Sequence, residues 1–175
     1  MSEFAARVPT PLGDIVIVWT AESFPKVTGI YLPNSDHTCM ELPDTVRFTK
    51  KGLPPLAAKI KAYFAGERVN FSMADLDLSV LGPFQKTILT KATKIPLGQV
   101  WSYGRLAAEA GCPRAARAVG NEMARNPYPL VVPCHRVVRA NGELGGFGSG
   151  PELKRELLLL EGVKFATKYR VATTE

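Results

Sequence analysis

One thiol stands beside one imidazole inside an apolar run, Val131-Val132-Pro133-Cys134-His135-Arg136-Val137-Val138. An ordinary cysteine, with a pKa near ~8.5, is only a few per cent thiolate at neutral pH. A nucleophilic Cys134 therefore needs a base or a positive field, and His135 and Arg136 can each supply part of that. By spacing alone a buried structural thiol is the simpler reading, since free cysteine is among the most buried residue types. A second oddity lies downstream. Glu161 closes a helix read over 151–161, where a carboxylate opposes the macrodipole. It is either a surface acid paired with Lys164 or Lys168, or a residue kept there for another purpose.

Other chemistry is sparse. Cys39, Cys112 and Cys134 are an odd set without C-x-x-C spacing, and His37 and His135 are the only histidines. No zinc-type cluster can be drawn from them, so no metal site is expected. A reduced compartment follows, with a Cys39–Cys112 disulfide left open, and His37 reads as a loop histidine.

The elements that must hold these residues fall into two halves. The first, 1–75, reads as a small α+β domain. Strands are expected at 14–20, 27–32 and 45–49, and a helix from Pro54-Pro55 to Ala65, with Leu56, Ile60, Tyr63 and Phe64 on its inner face and Gly66 as its stop. The second, 76–175, reads as mainly helical. Pro83 fits the first position of a helix carrying Phe84, Ile88 and Leu89. Ser102 caps a helix from Tyr103 to about Ala110, and Pro113 opens another from Arg114 to about Arg125. Two short helices about a glycine-containing turn are a helix-turn-helix pattern, and Arg114 and Arg117 among Ala115, Ala116 and Gly120 suit close approach to a nucleic acid. A packed alanine-rich pair explains the same residues. Arg125 and Arg139 read equally as phosphate contacts or as solvated surface. After Asn126-Pro127-Tyr128-Pro129 and the Cys134 run comes a glycine-rich loop around Phe147, then a last helix with Leu153, Leu157 and Leu160 as its buried stripe.

The composition fits a packed protein with a polyanionic partner. Of 175 residues, 46% are hydrophobic and 22% charged, enough for a core, and the formal charge of +6 admits nucleic acid without requiring it. No signal pattern opens the chain and no apolar run has membrane-spanning length, so a soluble cytoplasmic protein without membrane contact is expected.

Together the motifs are more specific than any one of them. Val132-Pro133-Cys134-His135-Arg136-Val137-Val138 resembles the active-site signature of the O6-alkylguanine-DNA alkyltransferases, also called methylated-DNA–protein-cysteine methyltransferases. Trp101-Ser102-Tyr103-Gly104 with Leu106-Ala107, then Ala115 to Gly120, Asn126-Pro127 and Leu158 to Gly162 resemble that family's blocks in order, over roughly 82–163. The resemblance implies a ribonuclease-H-like first domain with an antiparallel sheet, and a second domain with a helix-turn-helix. It implies Cys134 as alkyl acceptor, His135 as its base through a water, Glu161 as the orienting acid, Tyr103 as donor to the leaving base and Asn126 as brace. Arg117 would fill the gap left by the extruded nucleotide, and Ala115, Ala116, Gly120 and Arg114 would lie against the minor groove. Pro129, Val137, Phe147, Gly148 and Ser149 would form the substrate pocket. The implied partner is double-stranded DNA containing O6-alkylguanine, bound by a monomer in the cytoplasm (the nucleus in a eukaryote), with no cofactor. O4-alkylthymine is a further implied substrate. Two other readings stay open: a binder of alkylated DNA that does not transfer, disfavoured because such relatives lack the cysteine, and an unrelated cysteine hydrolase.

Overall fold

A computed structural model describes residues 3–34 and 42–172. His37 and Cys39 lie outside the described residues. The chain forms two units, one made of residues up to Leu78 together with Pro127–Val131, the other of Ser79–Asn126 and the residues from Val132 onward.

The first unit is built on a four-stranded sheet. Strands β1 (Glu3–Val8), β2 (Ile15–Thr20), β3 (Val27–Tyr31) and β4 (Val46–Phe48) stand in the order β3-β2-β1-β4. β1 pairs antiparallel with β2 from Glu3↔Thr20 to Val8↔Ile15, through a turn in which Thr10 Oγ1 donates to Gly13 O at 2.6 Å. The sheet is not wholly antiparallel as expected, because β4 joins the free edge of β1 running parallel to it, Glu3↔Val46. β1 itself was not anticipated. Its sequence, EFAARV, lacks clean alternation, and its two alanines carry little strand preference.

Helix α1 (Pro55–Phe64) buries Leu56, Ala57, Ile60 and Tyr63. Phe64 is half-buried, with its ring edge-on to Tyr63. Gly66 takes φ +82°, the left-handed conformation that ends a helix. The segment 127–131 is held in this unit by backbone and side chain. Ile30 N–H donates to Pro127 O at 2.9 Å, and the fully buried Tyr128 donates its hydroxyl to Asp77 O.

The second unit is mainly helical. In α2 (Pro83–Ala92) Pro83 is in the first turn, and Ile88, Leu89 and Ala92 are buried. Phe84, expected on that face, is 41% exposed. The short strand β5 (Trp101–Ser102) runs into α3 (Tyr103–Glu109), where Ser102 Oγ accepts from Arg105 N–H at 3.0 Å and caps the helix. Helix α4 spans Ala116–Ala124, so Arg114 precedes it instead of opening it. Ala115 is its N-cap and offers no side-chain acceptor, and Pro113 and Arg114 belong to the turn that leads into the helix.

β6 (Val137–Val138) pairs parallel with β5, Trp101↔Val137 and Ser102↔Val138. Tyr103 directly follows β5, and the turn Cys134–Arg136 directly precedes β6. Helix α5 (Gly150–Leu160) buries Leu153, Lys154, Leu157 and Leu158, whereas Leu160 is 39% exposed. A hairpin, β7 (Phe165–Thr167) and β8 (Arg170–Val171), follows and was not anticipated. Val138, Leu144, Leu158, Val163 and Val171 close a core around it.

Candidate active site

Cys134 sits at the start of a tight turn, not in the extended run its valines suggested. Pro133 has φ −79° and ψ 67°, and Cys134 N–H donates to Val132 O at 2.8 Å, an inverse γ-turn that the proline ring favours. One turn of 3-10 helix, Cys134–Arg136, then leads into β6. Asn126 braces the turn from outside, donating through Nδ2 to Val132 O at 3.0 Å.

The two side chains after Cys134 converge on Glu161. His135 Nε2 lies 2.8 Å from Glu161 Oε1, with both side chains 1% exposed. Arg136 adds a two-pronged grip: Nε donates to Glu161 Oε2 at 2.7 Å and Nη2 to Oε1 at 2.9 Å. Its Nη1 donates to Ile95 O at 2.7 Å. The surface pairing of Glu161 with Lys164 or Lys168 is thereby replaced by a buried, planar, charge-assisted site. Burial opposes ionisation of Glu161, but its hydrogen bonds with His135 and Arg136 and their charges outweigh that, and its pKa falls well below the carboxylate range.

An ionised Glu161 only accepts, so the neutral imidazole carries its hydrogen on Nε2 and leaves Nδ1 as the basic nitrogen. Nδ1 has no hydrogen-bond partner among the described residues. Burial pushes the His135 pKa down, against the pull of Glu161, so the ring is neutral and able to take a proton at neutral pH.

Cys134 is 8% exposed. Burial raises its pKa, opposed by the Asn126 amide, by the Lys154 charge and by backbone N–H groups. Lys154 was not singled out by sequence. Its side chain is fully buried, and Nζ donates to Val137 O at 2.7 Å and Leu144 O at 2.5 Å. Burial brings its pKa down to about 8, with the Cys134 charge pulling the other way. A signal was available, since Lys154 stands three, four and seven residues before Leu157, Leu158 and Glu161, on the same helix face.

The remaining expected residues are spread around this centre. Tyr103 is half-buried, and burial raises its hydroxyl pKa, so it stays protonated and able to donate. A Cβ on Gly120 would meet the Tyr103 ring at 3.7 Å, which ties α4 to the first turn of α3. Arg114 and Arg117 are exposed, and Ala115 and Ala116 partly so. Phe147 is half-buried with Lys154 Nζ 5.7 Å from its ring centre, Gly148 is exposed, Ser149 is buried and Val137 is fully buried within β6. Pro129 belongs to the first unit, and its pocket assignment rests on sequence alone. Cys112 is a free, half-exposed thiol. Among the described residues no three His, Cys, Asp or Glu side chains could hold a metal, and no helix is long and apolar enough to cross a membrane.

Residues 83–163 match the family model described as 6-O-methylguanine DNA methyltransferase, DNA binding domain. The constitutive methylated-DNA–protein-cysteine methyltransferase of Bacillus subtilis (strain 168) is 40% identical over 165 residues, covering 91% of this chain and 95% of that protein. The methylated-DNA–protein-cysteine methyltransferase of Methanosarcina acetivorans is 36% identical, with 91% and 98% covered. Mycobacterium tuberculosis OGT, solved in complex with DNA, superposes with a TM-score of 0.78 at 32% identity over 90% of this chain and 92% of that one. The O6-methylguanine-DNA methyltransferase of Pyrococcus kodakaraensis gives 0.69 at 29% identity, with 92% and 99% covered.

Proposed function

The chain is an enzyme of the methylated-DNA–protein-cysteine methyltransferase family, and we propose that it repairs O6-alkylguanine in double-stranded DNA by moving the alkyl group irreversibly onto Cys134. The observation that carries this reading is the buried His135–Glu161 pair, fixed by Arg136, directly after Cys134 in the chain.

The Cys134 proton passes through a water to His135 Nδ1, and Glu161 stabilises the imidazolium that forms. The thiolate sulfur attacks the alkyl carbon as the carbon–oxygen bond breaks, and the electron pair leaves on O6. Tyr103 donates a hydrogen bond to the departing guanine, whose anion is then protonated. The target carbon cannot be reached in a stacked duplex, so the nucleotide is flipped out, at least cost for a poorly paired base. The product thioether has no hydrolysable bond, so each molecule acts once. O4-alkylthymine fits the same chemistry.

For DNA, α3 and α4 serve as a helix-turn-helix whose second helix lies in the minor groove. Arg117 fills the vacated stack, Ala115, Ala116 and Gly120 allow close approach, and Arg114 meets phosphate. Phe147, Gly148 and Ser149 form the pocket wall. Residues 1–75 make a ribonuclease-H-like domain and 76–175 the transferring domain, in a monomer that works without a cofactor in the cytoplasm or, in a eukaryote, the nucleus.

The test is stoichiometry. With a tenfold excess of O6-methylguanine duplex, each protein should gain one methyl group by intact mass and then stop. Continued turnover, or binding without gain of mass, would contradict the proposal.

A further inference from the structure

The second unit also carries a cleft of about 430 Å³ lined in part by Arg139, Glu143, Gly145, Thr167, Tyr169 and Arg170. It begins beside Tyr103. A Cβ on Gly145 would stand 3.2 Å from the Tyr103 hydroxyl and 3.5 Å from Arg139 Cγ, and its φ of 71° disfavours any side chain there. Tyr103, Gly145 and Arg139 are thus packed side by side.

The cleft's frame is well tied and its cations are loosely held. Leu144 N–H donates to Tyr169 O at 3.0 Å, and Val171 N–H to Gly142 O at 2.9 Å, lacing the loop before α5 to the β7–β8 hairpin. Arg139 has one 3.2 Å contact with Glu143, with the two side chains 62% and 50% exposed, a pairing worth little in water. Arg170 is exposed and has no ion pair among the described residues. The nearby acid Glu152 accepts from the Tyr169 hydroxyl, and Lys168 Nζ lies 4.8 Å over the Tyr169 ring, adding positive charge.

We propose that this cleft takes the phosphodiester backbone of the DNA strand that carries the extruded guanine, with Arg139 and Arg170 on its phosphates and Thr167 as a hydroxyl donor. The inference rests on the alkyltransferase reading, in which Tyr103 stands at the flipped base and the strand must leave past it. Guanidinium groups present a planar fork matched to phosphate oxygens. Such contacts set register and orientation without reading bases.

The experiment measures duplex affinity against salt in a Cys134→Ser background, using DNA with one O6-methylguanine. Arg139→Gln and Arg170→Gln should each lower the log–log slope by about 0.9, and both together by about 1.8. Glu143→Gln, which frees Arg139, should leave affinity equal or higher. An unchanged slope in the double variant, with its melting temperature retained, would overturn the proposal. So would equal losses from Glu143→Gln and Arg139→Gln, which would make the pair structural. Failure of the alkyltransferase reading would appear separately, as no methyl gain in the unsubstituted protein.

Discussion

Among the described residues the first unit buries no His, Lys, Arg, Asp or Glu side chain, whereas the second buries His135, Arg136, Lys154 and Glu161 within a stretch of 27 positions. The first unit's interior is Ala5, Val8, Ile15, Ile17, Val27, Ile30 and their neighbours, a core that the hydrophobic effect alone accounts for. Taking an ion out of water costs several kcal/mol even after relaxation, so the second unit's interior lowers stability unless every charge is met. Each is met: Glu161 by two partners, Arg136 by three acceptor atoms, Lys154 by two carbonyls. The difference separates a part built for stability from a part that gives up stability to hold one thiol.

Substitutions in the two units should therefore break in different ways. The largest effect is expected from Glu161→Ala, which strands His135 and Arg136 in the interior. Stability should fall by roughly 3–5 kcal/mol in urea melts, and single-turnover transfer by about 100-fold or more. Its pH dependence has a definite sign. The folded pKa of Glu161 lies below its ordinary 4.5, so the stability it contributes is present above that value and lost as pH falls. Wild type and Glu161→Gln should converge in stability as the solution is acidified below about pH 4.5.

Lys154→Met should divide the two readouts. It removes a costly buried ammonium but leaves Val137 O and Leu144 O without a donor, so stability should change by only about 1–2 kcal/mol. Transfer should fall roughly tenfold, since the positive charge that opposes the burial of the Cys134 thiolate is gone. Because the folded pKa of Lys154 is about 8 against an ordinary 10.5, the wild type should gain stability relative to this variant as pH rises between those values. Asn126→Ala should cost about 1 kcal/mol and a smaller loss of rate, through the released Val132 carbonyl and a looser γ-turn. The smallest effect on chemistry is expected from Ile17→Val in the first unit, which should cost about 1 kcal/mol in the melt and leave transfer unchanged. Equal rate losses from Ile17→Val and Asn126→Ala would erase the contrast.

Sequence disclosed the parts of the second unit that carry punctuation. Pro83 and Ser102 mark helix starts because each does a specific job at a terminus, and both stand where expected. Glu161 was visible as a charge at the wrong end of a helix, although not what it would meet. Arg136 and Lys154 were not legible as buried, because long basic side chains are mostly solvated and only tertiary contacts reveal an exception. The stripe of α5 was misread by one position: Leu160 points outward and Leu158 inward. β1 and the hairpin at 165–171 escaped because short strands of small or mixed residues have no periodicity to read. The direction of β4 depends on which sheet edge it joins, which no local pattern records.

The most direct test locates the transferred group. After one equivalent of O6-methylguanine duplex, digestion and peptide mass analysis should place a single methyl on the peptide holding Cys134 and none on those holding Cys39 or Cys112. A methyl on either of the other cysteines, or an unmodified Cys134 beside repaired DNA, would contradict the account.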